Sequence, residues 1–145
     1  MAGETIRDSG AFVALITSAA VANAAFSAES SVVSGVLTTG SEANYPLLDF
    51  QLTITSGTPA ATGLVNLYRR PKADGTNKGN APTATNKIQY VGTFVLAAIA
   101  PTTYYYLYGV DNADPAATYY AENADGVSSL TFAVAVRART YKAAA

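Results

Sequence analysis

The 145-residue sequence contains no histidine, no cysteine and no tryptophan. The first absence removes the commonest general base and the commonest transition-metal ligand. The second removes the most reactive nucleophile and every disulfide. Chemistry of any kind would rest on carboxylates, hydroxyls and lysines. Charge is also scarce: Asp, Glu, Lys and Arg make up 13% of the chain, about half the roughly 25% of an ordinary soluble domain. A free monomer so short of charge is poorly solubilised, so part of the surface is expected to be covered by copies or partners. The net charge of −1 supplies no field that would draw nucleic acid or an anionic membrane, and neither is an expected partner. Without cysteine, the redox compartment is not legible.

The apolar stretch Ala11 to Ala25 is broken by Thr17, Ser18 and Asn23 and is too short for a membrane span. Ala22-Asn23-Ala24 has the small residues of a signal cleavage site. The flank before it, however, carries Glu4 and Asp8 against Arg7, where a secretory leader needs net positive charge. The segment therefore reads as mature structure.

What the chain does contain is β-strand pattern. From Leu47 to Thr55, Leu48, Phe50, Leu52 and Ile54 alternate with Asp49, Gln51, Thr53 and Thr55, the period of two that turns one face to a core and the other to water. Leu130 to Arg139 repeats it, with Leu130, Phe132, Val134 and Val136 inward. Leu64 to Arg70, Val91 to Ala98 and Tyr104 to Val110 are further strands, rich in β-branched and aromatic residues. Ala11 to Ser18, Ser31 to Leu37 and Tyr119 to Glu122 carry a fainter signal, and alanine-rich Ala19 to Ala28 favours a short helix. Turn chemistry at Ser56-Gly57-Thr58-Pro59 and Asn123-Ala124-Asp125-Gly126 separates the runs. The expectation is an all-β protein, an antiparallel sandwich of seven or eight strands with jelly-roll or immunoglobulin-like topology. Periodicity does not choose between these. The length fits one domain, expected over residues 11–142, with 1–10 an N-terminal arm and 143–145 a tail.

The longest connection is Pro71 to Lys87, a polar tract of Lys, Asn, Gly, Thr and Pro, and loops of this length are commonly functional. Charge is segregated around it. Residues 69–87 hold five bases (Arg69, Arg70, Lys72, Lys78, Lys87) against Asp74, while residues 111–125 hold four acids (Asp111, Asp114, Glu122, Asp125) and no base. Complementary patches of this kind would let one copy's basic loop meet a neighbour's acidic region.

Catalytic and ligand-binding patterns are absent. Asp111-Asn112-Ala113-Asp114 lacks the alternating acids, central glycine and terminal glutamate of a calcium loop. Asp74-Gly75 and Asp125-Gly126 read as turn formers. Glycoside hydrolysis needs only two paired carboxylates, yet nothing in the pattern pairs two of the ten acids. There is no phosphate loop, nucleophile elbow or dinucleotide fingerprint. The expectation is a protein without catalytic activity, cofactor or metal.

Tyr104, Tyr106 and Tyr108 fall on one face of a strand, with Tyr105 and Leu107 on the other. One set is expected to fill the core and the other to pack at a sheet face or subunit contact, where tyrosine combines large area with one polar handle. A platform for sugar rings is the weaker alternative in a chain without tryptophan.

Three segments, Tyr45-Pro46-Leu47-Leu48-Asp49-Phe50-Gln51-Leu52, then Val65 to Asn77 (VNLYRRPKADGTN), then Tyr90-Val91-Gly92-Thr93-Phe94, resemble small β-rich structural proteins of tailed-bacteriophage virions, some of which decorate or cement the capsid. The likeness spans roughly Tyr45 to Val110 and carries no functional residues. It implies a virion protein on the capsid surface, bound to the major capsid protein and assembled as a small homo-oligomer, a trimer being favoured. The expected interface comprises Arg7, Arg69, Arg70, Lys72, Lys78, Lys87, Tyr104, Tyr106, Tyr108, Asp111 and Asp114. Two other readings fit the same chain: a receptor- or carbohydrate-binding module of a virion fibre, motivated by the tyrosines, and a secreted or pilus-like subunit, motivated by Ala11 to Ala28.

Overall fold

The computed structural model describes residues 4–8, 10–38, 42–72 and 76–143. Asp74 and Gly75 lie outside the described residues, as do 144–145 of the expected tail. Among the described residues, eight strands run in chain order: β1 (Glu4–Asp8), β2 (Val13–Val21), β3 (Leu47–Ser56), β4 (Leu64–Arg70), β5 (Tyr90–Val95), β6 (Thr103–Asp111), β7 (Thr118–Ala124) and β8 (Leu130–Ala143). A four-residue helix, α1 (Val33–Val36), and a 3₁₀ turn at Glu42–Asn44 lie between β2 and β3.

The strands form two antiparallel sheets. In the first, β8 is flanked by β3 on one side and by β1 and β2 on the other, and β6 lies beyond β3. The second has the order β5-β4-β7. The segment from Ala24 to Val33 then lines the outer edge of β7. Its bonds are Ala24 N to Asn123 O (2.7 Å), Ser27 N to Ala121 O (2.8 Å) and Ser30 N to Tyr119 O (3.0 Å), with a bridge between Phe26 and Glu122. From β3 onward, each successive strand crosses to the opposite sheet except at the β4–β5 hairpin. The last two strands, β7 and β8, therefore sit in different sheets, whereas an immunoglobulin-like sandwich keeps its last two together. The order is that of a jelly roll.

The inner faces follow the alternation in the sequence. Leu48, Phe50, Leu52 and Ile54 of β3 and Leu130, Val134 and Val136 of β8 are all 0% exposed. Val65 and Leu67 of β4, Phe94 of β5 and Tyr119 of β7 meet them from the other sheet. Phe50 and Tyr119 bring the layers into contact at 5.1 Å between ring centroids. Full burial of such side chains contributes about 1.5–3 kcal/mol each relative to exposure.

Four expectations are corrected. Ala19 to Ala28 is not helical: its first residues end β2 and the rest lies along β7. There the Ser27 and Ser30 hydroxyls accept hydrogen bonds from Ala121 N (3.0 Å) and Tyr119 N (2.9 Å). An open strand edge satisfies this backbone better than an isolated alanine helix would, so tertiary pairing overrides propensity. Ser31 to Leu37 contains α1 rather than a strand. Residues 4–8 of the expected arm pair along the far half of β8, from Glu4 opposite Ala143 to Asp8 opposite Arg139. Finally, Asp49, at a position facing away from the core, is completely buried.

Candidate functional site

The outer face of the first sheet is built from side chains that sequence alternation points away from the core. Register places Ala14, Ala135, Gln51 and Tyr106 in one row across β2, β8, β3 and β6, with Ala133, Thr53 and Tyr104 in the next. The middle of the face is therefore low, and the tyrosines rise along its β6 margin. Tyr104, Tyr106 and Tyr108 are 55%, 44% and 57% exposed, in accord with their expected common face. Larger groups also meet on this face. Phe12 reaches within 5.9 Å of the Tyr106 ring, between centroids, and Arg137 places its guanidinium 4.8 Å from the Phe12 ring centre.

These rings are held in place. Gln51 Nε2 donates to Tyr106 Oη at 3.0 Å, and Tyr106 stacks on Tyr108 at 5.6 Å with the rings 1° from parallel. Beside them, Asp49 accepts from Arg137 Nε (3.0 Å), Arg139 Nε (2.8 Å) and the Gly109 backbone N–H (3.0 Å). Two guanidiniums and an amide are what allow a carboxylate to remain buried here. Arg139 also lies 5.7 Å over the Tyr108 ring. Gly109 makes its approach at φ +70°, a conformation that costs a residue with a Cβ.

The charged residues separated in the sequence are largely paired within one chain. Arg70 and Lys78 both reach Glu29, at 3.0 Å and 3.3 Å, and Lys87 reaches Glu122 at 2.5 Å. The Lys72 backbone N–H donates to Asp114 Oδ2 at 2.8 Å, while Asp114 Oδ1 accepts from Ala116 N at 3.1 Å. Asp114 is thus a turn clip, like Asp125, which accepts from Ala60 N and Ser128 N. The polar loop after β4 is accordingly fastened over the outer face of the second sheet. Arg69 Nη1 donates to the Asp111 carbonyl at 3.4 Å, and the Asp111 side chain is exposed. Arg7 lies in β1 opposite Thr140.

Electrostatics follow this pairing. Burial pushes the Glu122 carboxyl up, but hydrogen bonds from Lys87, Asn66 and Tyr68 and the Lys87 charge outweigh it and leave it below its ordinary value. Burial likewise raises Glu29, and Thr118, Lys78, Tyr120 and Arg70 together bring it below the usual range. Tyr68 is pushed up to about 12 by burial and by its hydrogen bond to Glu122. Tyr119 is pushed up to about 12 by burial, against the opposing Arg69 charge.

A cleft of about 380 Å³ opens between the free edges of β5 and β6, lined by Arg69, Tyr90, Val91, Leu107, Gly109 and Asp111 among others. Among the described residues no group of three or more carboxylates is placed to hold a metal ion. Sequence reasoning placed the tyrosine ladder but missed Phe12, Asp49, Arg139 and Tyr90. Their roles depend on which strands become neighbours, which periodicity along one strand does not encode.

The fold defines the chain as a jelly-roll β-sandwich. Comparison with protein-family models, curated proteins and solved structures found no match to it.

Proposed function

We propose that the chain is a non-enzymatic structural protein of a tailed-phage head, a capsid decoration or cement protein on the virion surface. In this reading the outer face of the first sheet seats on the major capsid protein. A small homo-oligomer, with a trimer the expected number, bridges junctions between capsid subunits. The observation that carries it is the ladder of Tyr104, Tyr106 and Tyr108, all exposed, in which Tyr106 and Tyr108 are fixed by Gln51, Arg139 and one another. Tyrosine and arginine beside short side chains are the residue types that anchor protein interfaces. Jelly rolls serve in viral shells and in lectins, and fold alone does not select a task. The resemblance over Tyr45 to Val110 favours the shell. Buried interface added across subunits stabilises the assembled state by mass action.

The pairing of Arg70, Lys78 and Lys87 within the chain moves the proposed contact away from the polar loop and onto the tyrosine face. The test is to incubate purified protein with undecorated, expanded capsids and to reconstruct them by cryo-EM. Ordered copies on the icosahedral lattice, seated through β6, support the proposal; absence from the lattice rejects it.

A further inference from the structure

We propose that the cleft between β5 and β6 binds one acidic sugar ring, a pyranose that carries a carboxylate. The inference goes beyond the capsid reading and does not depend on it. The cleft's volume of about 380 Å³ lies at the small end of ligand sites, which run from roughly 300 to 1,000 Å³. It has room for a ring-sized group rather than an extended chain.

Arg69 supplies the anion preference. Its neighbours in sequence have carboxylate partners: Arg70 and Lys78 share Glu29, and Lys87 holds Glu122. Among the described residues Arg69 has none at ion-pair distance. Its Nη1 makes one long bond to the Asp111 carbonyl, and its Nε is buried with no acceptor at hydrogen-bond distance. A guanidinium that lines a cleft with no carboxylate at ion-pair distance is a receptor for a planar anion such as carboxylate.

The remaining lining selects a polyhydroxylated anion. Asp111 lines the same cleft; its exposed carboxylate accepts hydrogen bonds from hydroxyls and repels a dense polyanion such as a phosphate chain. Tyr90 offers the stacking surface. Its ring is 58% exposed, its edge-on contact with Tyr68 is 5.9 Å between centroids, and its hydroxyl is bonded to Thr93 Oγ1 at 2.6 Å. A ring anchored at both its tip and its side presents a settled apolar surface to the C–H face of a sugar. Val91, Leu107, Val110 and the edge of the tyrosine ladder at Tyr108 complete the lining.

The experiment is an amide NMR titration of the isolated ¹⁵N-labelled protein with glucuronate, with glucose and acetate as separate controls. The expected result is a saturable shift of the Val91, Leu107 and Gly109 amides with glucuronate, and no saturation with either control. Arg69→Gln is expected to weaken the response by about tenfold or more, as for loss of a charge-assisted hydrogen bond. Tyr90→Ala is expected to weaken it comparably, with unchanged amide shifts away from the cleft as the check that the fold is intact. No saturation with glucuronate overturns the proposal. So does an equal response to acetate, which makes Arg69 a general anion site, or to glucose, which leaves it idle. Binding unchanged in Tyr90→Ala overturns it as well. Because the isolated protein is used, the outcome is separable from that of the capsid experiment.

Discussion

Lys87 Nζ and Glu122 Oε1 lie 2.5 Å apart, joining a lysine side chain that is 46% exposed to a carboxylate that is 2% exposed. This pair ties the end of the long polar loop to the middle of β7, where Asn66 Nδ2 and Tyr68 Oη also donate to Glu122, at 3.1 Å and 2.9 Å. Lys87→Met is expected to lower stability by about 1–2 kcal/mol. That is less than the roughly 3–5 kcal/mol of a fully buried pair, because the ammonium is half in water. Urea denaturation of the two proteins provides the measurement, and an unchanged midpoint would show that the loop is held by other contacts.

Acid is expected to loosen the second sheet first. Glu29 and Glu122 both titrate below their ordinary 4.5 in the folded chain, so folding favours their ionised forms. Their stabilisation is complete above the unfolded value and is lost as pH falls through the lower folded values. Thermal midpoints recorded from neutrality downward should begin to drop near pH 4.5. Glu122→Gln is expected to flatten part of that slope.

At the alkaline end the sign reverses. Tyr68 and Tyr119 are raised from 10.0 to about 12, so the folded state favours their neutral forms. The stability they contribute is present below pH 10 and declines as pH rises toward 12. Tyrosinate absorbance followed together with circular dichroism should show the last tyrosines ionising as the fold is lost; complete ionisation in a still-folded protein would contradict this.

Gly92 brings β5 close to β6. A Cβ at that position would stand 2.5 Å from Leu107 Cδ2, so Gly92→Ala should cost about 1–3 kcal/mol by overpacking. The Gly92→Ala, Leu107→Ala double variant should lose less than the sum of the single losses, since the clash is shared between them. Strict additivity in a double-mutant cycle would show that the two sites are not coupled.

Asp49→Ala removes the acceptor shared by Arg137, Arg139 and Gly109. It is expected to cost about 2–4 kcal/mol, since two partly buried guanidiniums lose the carboxylate they share. By contrast, Tyr106→Ala on the exposed surface should change stability by no more than about 1 kcal/mol. Under the capsid proposal it should weaken capsid binding by at least about tenfold, measured by co-sedimentation. A Tyr106→Ala protein that binds as well as the parent would remove the tyrosine face from the interface.

Strands with clean alternation were legible because one buried face fixes their pattern. Leu48 to Ile54 and Leu130 to Val136 are buried on the predicted side, and β7 extends the predicted Tyr119 to Glu122 by one residue at its start and two at its end. Alanine-rich Ala19 to Ala28 misled because its conformation is decided by a distant partner, the free edge of β7, and by two serine hydroxyls. The choice of jelly roll likewise lies in which sheet each strand joins, a long-range property that local pattern does not carry. At the candidate interface the exposed tyrosines were readable from the period of two. The fate of the charges was not: acids and bases far apart in sequence become neighbours only when the loop folds back across the second sheet.

The near-parallel stack of Tyr106 on Tyr108, with Gln51 bonded to the first ring and Arg139 over the second, has a thermodynamic consequence for docking. Large side chains on an open surface normally surrender rotamer freedom when a partner arrives, roughly 0.5–1.5 kcal/mol apiece. On this face that freedom has already been given up during folding. A rigid partner would therefore meet a pre-organised relief of rings, and the entropy of ordering them would not be subtracted from the affinity.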